Sequence, residues 1–436
     1  MINVSRRSVL AGLAGSAFAV PARAAALSPQ EVLGHWYSLV LHLVRHTATY
    51  SPPVASRAFA YLGVTVYEAV ASGSPPLLSL AGQLNGLKPV PQRDRSAAYD
   101  DAVVLDAAMG TAAQSFFDNT GPTGQRAMAA MESKMRDALI EGVASDTASR
   151  SIDYGKAVAA VILEWSHNDG GAAIANLGFP EHYDLKPGPA HWVPTSPIRL
   201  QQVPLLPNWG QNRPFAMSSG TSCGLPPPPP YSEDKNSVFY QMAKETCDVR
   251  NALTPEQKAI ARFWSDDAML SVTPPGHWVS IVLQIAERDH LPLERLADAL
   301  ARLGIVVADS FIACWAVKYQ YDLVRPVTYI RRTMEPKWEP LLITPPFPEY
   351  PSGHSTQSSA AAAVLTKMFG DNLAFEDATA KRDGVAPRKF SSFNGAAEEA
   401  AISRLYGGIH FRPAIEQGLA QGRCVAAFTN ALRTLS

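Results

Sequence analysis

The 436-residue chain carries almost no net charge: 38 Lys and Arg stand against 39 Asp and Glu, a formal balance of −1. It therefore lacks the basic excess that tracks nucleic acid or an anionic membrane surface. Cysteine is scarce, and the four present (Cys223, Cys247, Cys314, Cys424) have no zinc-site spacing. No HExxH occurs. His42 and His46 share a helical face four residues apart, but without that motif a solvated or core pair is the better reading. Beyond the N-terminus no apolar run reaches membrane-spanning length, so no membrane anchor is expected. Strand signals are few.

The first residues are those of an export signal. Ser5-Arg6-Arg7-Ser8-Val9-Leu10 has the twin-arginine pattern, an apolar run follows, and Ala22-Arg23-Ala24 offers a cleavage site. Residues 1–24 are read as a signal peptide, and a periplasmic or secreted location is expected. The remaining chain, 25–436, is long enough to bury a large core.

Helical periodicity runs through about 29–48, 54–73, 94–118, 122–143 and 147–168. It returns near 255–270, 278–289, 292–320, 354–369, 394–406 and 412–433. Between the two sets lies a long Pro-rich irregular stretch, about 185–232, ending in five consecutive prolines. A loop of that length inside a compact chain is usually functional or surface-wrapping, and here it is expected to edge an active-site mouth.

Three short stretches of the last third carry the chemistry. In KYQYDLVRP, Lys318 and Arg325 lie seven apart, two helical turns, and Pro326 is expected to end that helix. Alone they read as two solvated charges, although the preceding FIACWAV is apolar and a buried Lys needs a partner. In PSGH, Ser352 is positioned to cap an Ala-rich helix, whose free N–H groups and dipole attract anions. Alone, this is a plain capped helix with His354 in its first turn. In SRLYGGIH, Arg404 and His410 flank Gly407-Gly408, which alone reads as a helix end with a basic last turn.

Taken in order and spacing, these motifs resemble the vanadium-dependent haloperoxidase and type 2 phosphatidic acid phosphatase superfamily. TPPFPEYPSGH, RLYGGIHFR, PLLPNWG and TPPGHW look like its bacterial haloperoxidase branch. The likeness is good over about 230–430. It implies an all-α fold of two four-helix bundles with a long Pro-rich connecting segment. The N-terminal half-bundle would fall at about 27–170, the irregular segment at about 185–232 and the catalytic half-bundle at about 233–436, all within one domain. It implies vanadate as cofactor, with His410 bonding the metal. Lys318, Arg325 and Arg404 would neutralise the oxygens, Ser352 and Gly353 would donate hydrogen bonds, and His354 would act as acid and base. Catalysis would fall to His354, Lys318 and His410. The partners implied are hydrogen peroxide, halide, and vanadate or phosphate. The oligomeric state is left open.

Trp315 and Phe347 occupy positions that the resemblance assigns to a halide pocket, though both also suit core packing. They do not fix the halide. The superfamily usually has Asp four residues after the last histidine, and here that position is Ala414, which weakens a phosphatase reading and leaves the orientation of His410 unexplained. Glu416 is poorly spaced for the task. His277, at a turn before an apolar helix, is a candidate for a supporting or channel role. Cys223 and Cys247 flank a loop-to-helix junction and are expected to pair, with Cys314 a buried free thiol. The functional expectation is an exported haloperoxidase that turns halide and hydrogen peroxide into hypohalous acid. The alternatives are a periplasmic acid phosphatase with a phosphohistidine on His410, and an oxyanion-binding protein without turnover.

Overall fold

The computed structural model describes residues 27–175, 179–180, 182–196 and 203–435. The twin-arginine stretch, the cleavage site and part of the Pro-rich segment lie outside these residues.

The first half is helical: α1 (Pro29–Arg45), α2 (Pro52–Ala71), α3 (Asp101–Phe116), α4 (Gly121–Ile140), α5 (Ser145–His167) and the single turn α6 (Gly171–Ile174). Ser28 starts α1 with a reciprocal capping box to Glu31, which satisfies two otherwise free N–H groups. The second half holds α7 (Val238–Asn251), α8 (Pro255–Phe263), α9 (Thr273–Asp289), α10 (Leu293–Tyr321), α11 (Pro326–Thr333), α12 (Gly353–Phe369), α13 (Phe393–Tyr406) and α14 (Arg412–Asn430). A small antiparallel hairpin, β1 (Phe375–Asp377) with β2 (Arg388–Phe390), is the one sheet among the described residues.

The 29-residue α10 is the axis. It packs along α2 on one side and against α12 and α14 on the other. Two glycines set the α2–α10 distance. A Cβ at Gly63 would fall 2.6 Å from the Leu300 carbonyl oxygen, and one at Gly304 would fall 2.7 Å from that of Phe59. The backbones thus touch, as small residues at a crossing permit. Apolar residues of both halves join in one continuous core around this contact.

The Pro-rich segment is pinned to the helices. Buried Asp309 of α10 accepts the N–H groups of Phe215, Ala216 and Met217 at 2.6, 2.9 and 3.0 Å. The carbonyls of Leu225, Pro226 and Ser232 accept from the hydroxyls of Tyr321, Tyr350 and Tyr329. The five consecutive prolines bring no N–H of their own, so around them the chain is held through its carbonyls. Leu205 accepts from Trp315 Nε1 and Tyr319 OH, while its N–H donates to Pro346. The segment therefore lies over the wall that carries Trp315.

Three expectations need correction. Cys223 bonds Cys424 of α14, not Cys247. Nearness in sequence misled: Cys247 faces Glu335 from α7, and Gln421 of α14 holds the Cys223 carbonyl at 3.0 Å. Cys247 and Cys314 are free and buried. Second, Lys318 and Arg325 do not share a helix. Asp322 turns left-handed (φ 53°) to end α10, and Pro326 opens α11 rather than closing a helix, leaving Arg325 extended at its N-cap. Third, α7 and α11 were not anticipated as helices.

The Cys223–Cys424 bridge closes a loop of 201 residues. Cys424→Ser is expected to lower unfolding free energy by about 2–5 kcal/mol. Urea unfolding should place its midpoint with that of the reduced wild type.

Candidate active site

The site forms where the end of α10, the starts of α11 and α12, and the end of α13 meet. Ser352 caps α12, accepting the Ser355 N–H at 3.3 Å, while its own N–H donates to Ala414 at 3.0 Å. Gly353 begins the helix, with Trp315 and Cys314 close by; a Cβ there would lie 3.8 Å from Trp315. α14 approaches closely, because a Cβ at Gly422 would sit 2.2 Å from the Thr356 carbonyl oxygen. Tight α12–α14 packing thus fixes where the helix start points.

His410 has an unambiguous environment. Its Nδ1 lies 2.9 Å from Glu349 Oε1, which also accepts the Phe411 N–H at 2.8 Å. Its Nε2 lies 3.3 Å from Arg325 Nη1, a donor. Nδ1 therefore carries the proton and Nε2 keeps its lone pair. Burial, then Arg325, Lys318 and Arg404, hold the imidazole well below its usual pKa, so it is neutral. Glu349 answers the question left by Ala414. It is itself fully buried, and burial pushes its carboxyl up to about 7 against Arg325, the Phe411 N–H and Lys318.

The three cations gather around this imidazole. Arg325 donates from Nε to Phe347 at 2.7 Å and from Nη1 to Ile409 at 2.8 Å. Arg404 Nη1 lies 2.9 Å from His354 Nε2. Burial pushes both guanidinium groups down to about 10, which leaves them charged at neutral pH. Arg325 Nη2 and Arg404 Nε and Nη2 are buried and find no hydrogen-bond partner among the described residues. Lys318 is different. Its hydrogen bonds all go to carbonyls, those of Pro348, Glu349 and Pro351, so its donors grip the turn before α12. Burial pushes it down to about 7.

His354 keeps some solvent access, its side chain 17% exposed, and Phe347 and Gly353 beside it are also only partly buried. Burial, then Arg404 and His277, keep it well below its usual pKa. Asp266 Oδ2 lies 3.8 Å from its Nε2. The rings of Trp315 and Phe347 sit 4.9 Å apart. Lys318 Nζ lies 5.1 Å from the Phe347 centroid and Arg325 lies 4.9 Å from it, so the aromatic pair touches the cation cluster.

All nine residues singled out in the sequence thus come together. Glu349 and Asp266 were missed. Glu349 did leave a trace, as the one carboxylate in the apolar, Pro-rich PPFPEYP. Asp266 was expected within a helix over about 255–270, but α8 ends at Phe263 and Asp266 sits on the loop beyond it. His42 and His46 pack ring to ring at 4.7 Å, and no metal-binding group of three or more ligand-type side chains occurs among the described residues.

Fold and site together define a helical-bundle protein with buried cations gathered around a neutral histidine. The family described as VCPO second helical-bundle domain matches residues 298–434, from α10 to α14. The crystal structure of a bacterial vanadium-dependent iodoperoxidase is similar along the whole chain. Identity is 37%, coverage is 93% of this chain and 97% of that one, and the TM-score is 0.87. The chain belongs to the vanadium-dependent haloperoxidase family. Vanadium chloroperoxidase of Curvularia inaequalis is 26% identical over 220 residues, a stretch spanning 36% of each chain. A holo-type bacterial vanadium-dependent chloroperoxidase shares the fold at 15% identity, with a TM-score of 0.66 over 93% of both chains.

Proposed function

We propose that this protein is a vanadate-dependent haloperoxidase, with iodide its preferred halide, that converts hydrogen peroxide, halide and a proton into hypohalous acid and water. The observation that carries this is the set of three guanidinium N–H positions on Arg325 and Arg404, buried and without hydrogen-bond partners among the described residues, beside a neutral His410. Leaving such donors unpaired is costly, so an oxyanion fits here. His410 Nε2 would hold the metal. Arg325 and Arg404 would bond the oxygens, Ser352 Oγ and the Gly353 N–H would add donors at the positive end of α12, and Lys318 would contribute charge. When bound, vanadate supplies a Lewis acid that polarises hydrogen peroxide toward halide. His354, neutral and partly exposed, takes up the proton that hydrogen peroxide releases. Asp266, facing its Nε2, stabilises the imidazolium so formed, and the proton then leaves with the product. Trp315 and Phe347 exclude water beside the cations, where a large, weakly hydrated anion is favoured. The iodoperoxidase likeness supports iodide, and the twin-arginine pattern supports export.

Acid phosphatase chemistry is the second reading, and Glu349 favours it. This carboxylate gives His410 the orientation that a nucleophilic imidazole needs, so Ala414 no longer counts against that activity. One experiment separates the two. Purified protein, freed of bound oxyanion and reconstituted with orthovanadate, is assayed with hydrogen peroxide and iodide, bromide or chloride, with phosphate-ester hydrolysis in parallel. Vanadate-dependent oxidation, fastest for iodide, is expected. Ester hydrolysis without any vanadate-dependent halide oxidation would overturn the proposal.

A further inference from the structure

The loop between α8 and α9 is held in an unusual shape. Asp266, Met269 and Thr273 have φ of 48°, 66° and 64°. Three non-glycine residues in the left-handed region within eight positions, one of them β-branched, need outside support. Such backbone persists only where the surroundings dictate it.

At Asp266 that support comes from His277. The residue is 1% exposed on the first turns of α9, its ring stacked on Trp264 at 4.6 Å and met edge-on by Phe263 at 5.5 Å. Its Nδ1 lies 2.9 and 3.0 Å from the two Asp266 oxygens, and its Nε2 lies 2.7 Å from Asp377 Oδ2. Ionised carboxylates only accept, so both ring nitrogens must carry hydrogen. Asp377 is fixed in turn by β1 and by the Thr379 N–H at 3.0 Å. On the other side, Asp266 faces His354 and supports the charge of Arg404. Hairpin, α9, strained loop and active site are thereby joined in one line of charged contacts.

We propose that His277 is a positioning residue, an imidazolium clamped between Asp377 and Asp266 that holds the Asp266 carboxylate against His354 and Arg404. Burial by itself would lower its pKa, but the two carboxylates outweigh this and raise it to about 10. The titratable groups that face it are Asp266, Asp377 and His354. Through Asp266 it sets where the proton-carrying imidazole and one anion-binding guanidinium sit, without itself touching the reactants.

The first test reads the wild type and uses variants only to assign the signal. In 15N-histidine-labelled protein at pH 8, one histidine should show both ring nitrogens protonated, and His277→Phe or Asp377→Asn should identify it. If no such imidazolium exists at pH 8, the proposal falls. The second test uses folded His277→Phe and His277→Gln, checked by thermal unfolding. Calorimetric titration with orthovanadate, and separately with inorganic phosphate, is expected to show about 10–100-fold weaker binding for the Phe variant. Gln, which keeps one donor, should recover part of this. In turnover, kcat should fall while KM for halide stays put. Wild-type oxyanion affinity in folded His277→Phe would overturn the proposal. Only the turnover arm rests on the haloperoxidase reading. If the wild type oxidised no halide, that reading would fail, while the NMR and phosphate arms would still decide the role of His277.

Discussion

His410→Ala protein is expected to carry no vanadium after desalting and to lose peroxide-dependent halide oxidation by on the order of 10³-fold even in excess orthovanadate. The reason lies in the division of labour around the imidazole. Arg325, Arg404 and the start of α12 supply charge and hydrogen bonds, so they still attract a tetrahedral oxyanion weakly. His410 Nε2 offers the lone pair that would bond the metal, because Nδ1 is committed to Glu349, whereas the ring nitrogens of His354 are turned to Arg404. Metal analysis and kcat measured together make this sharp. His354→Ala is the contrasting case: its ring meets Arg404 rather than His410, so vanadium should be retained while turnover is lost. Normal iodide oxidation by His410→Ala would show that the ligand has been misassigned.

Glu349→Leu is expected to weaken orthovanadate binding by about 10–100-fold. Two effects oppose each other here, and their signs differ. Removing a buried negative charge beside Arg325 and Lys318 should, by Coulomb attraction alone, tighten an anion. Removing the acceptor of the His410 Nδ1–H and the Phe411 N–H frees the imidazole to move its proton to Nε2, which hides the lone pair. It also strands two buried donors at about 1–3 kcal/mol each. The second effect should win. Glu349→Gln separates them, since an amide oxygen placed at Oε1 still accepts both N–H groups while the charge is gone. Gln should therefore bind at least as tightly as Glu. Calorimetric titration of apo-protein gives both values, and wild-type affinity in the Leu variant would mean that another group orients His410.

The parts of this molecule that were legible in its sequence are those governed by period or by motif. Most long helices announced themselves through apolar spacing, but α7 and α11 did not, α3 begins seven residues later than expected and α8 ends seven earlier. Seven of the nine candidate residues were legible because Lys318–Pro326, Pro351–His354 and Ser403–His410 keep their order and spacing, and Trp315 and Phe347 were legible only through the family resemblance. What stayed hidden was set by tertiary contact. Nothing local tells that Cys223 meets Cys424 across 201 residues. Pro326 gave the right effect on Arg325 and the wrong inference about the helix, since proline at a first turn starts one. Glu349 and Asp266 are charges whose role appears only when the residues they face are in place. His277 was noticed, but its two carboxylates come from a loop and a hairpin far apart in the chain.

The close crossing of α2 and α10 has a consequence for how this site could be moved or divided. Residues 298–434 bear the family signature and every group that would touch the oxyanion, which makes them look like a portable cassette. They are not self-sufficient. Without α2, the backbone groove at Gly304 and the apolar flank of α10, a buried helix that, against expectation, is long and apolar enough to cross a membrane, would be bare to water. The first half of the chain is thus the fitted counterpart that keeps the chemistry-bearing helix soluble and straight. Grafts or truncations that respect the motif boundaries alone should aggregate, whereas ones that carry α2 along with α10 keep the mould as well as the casting.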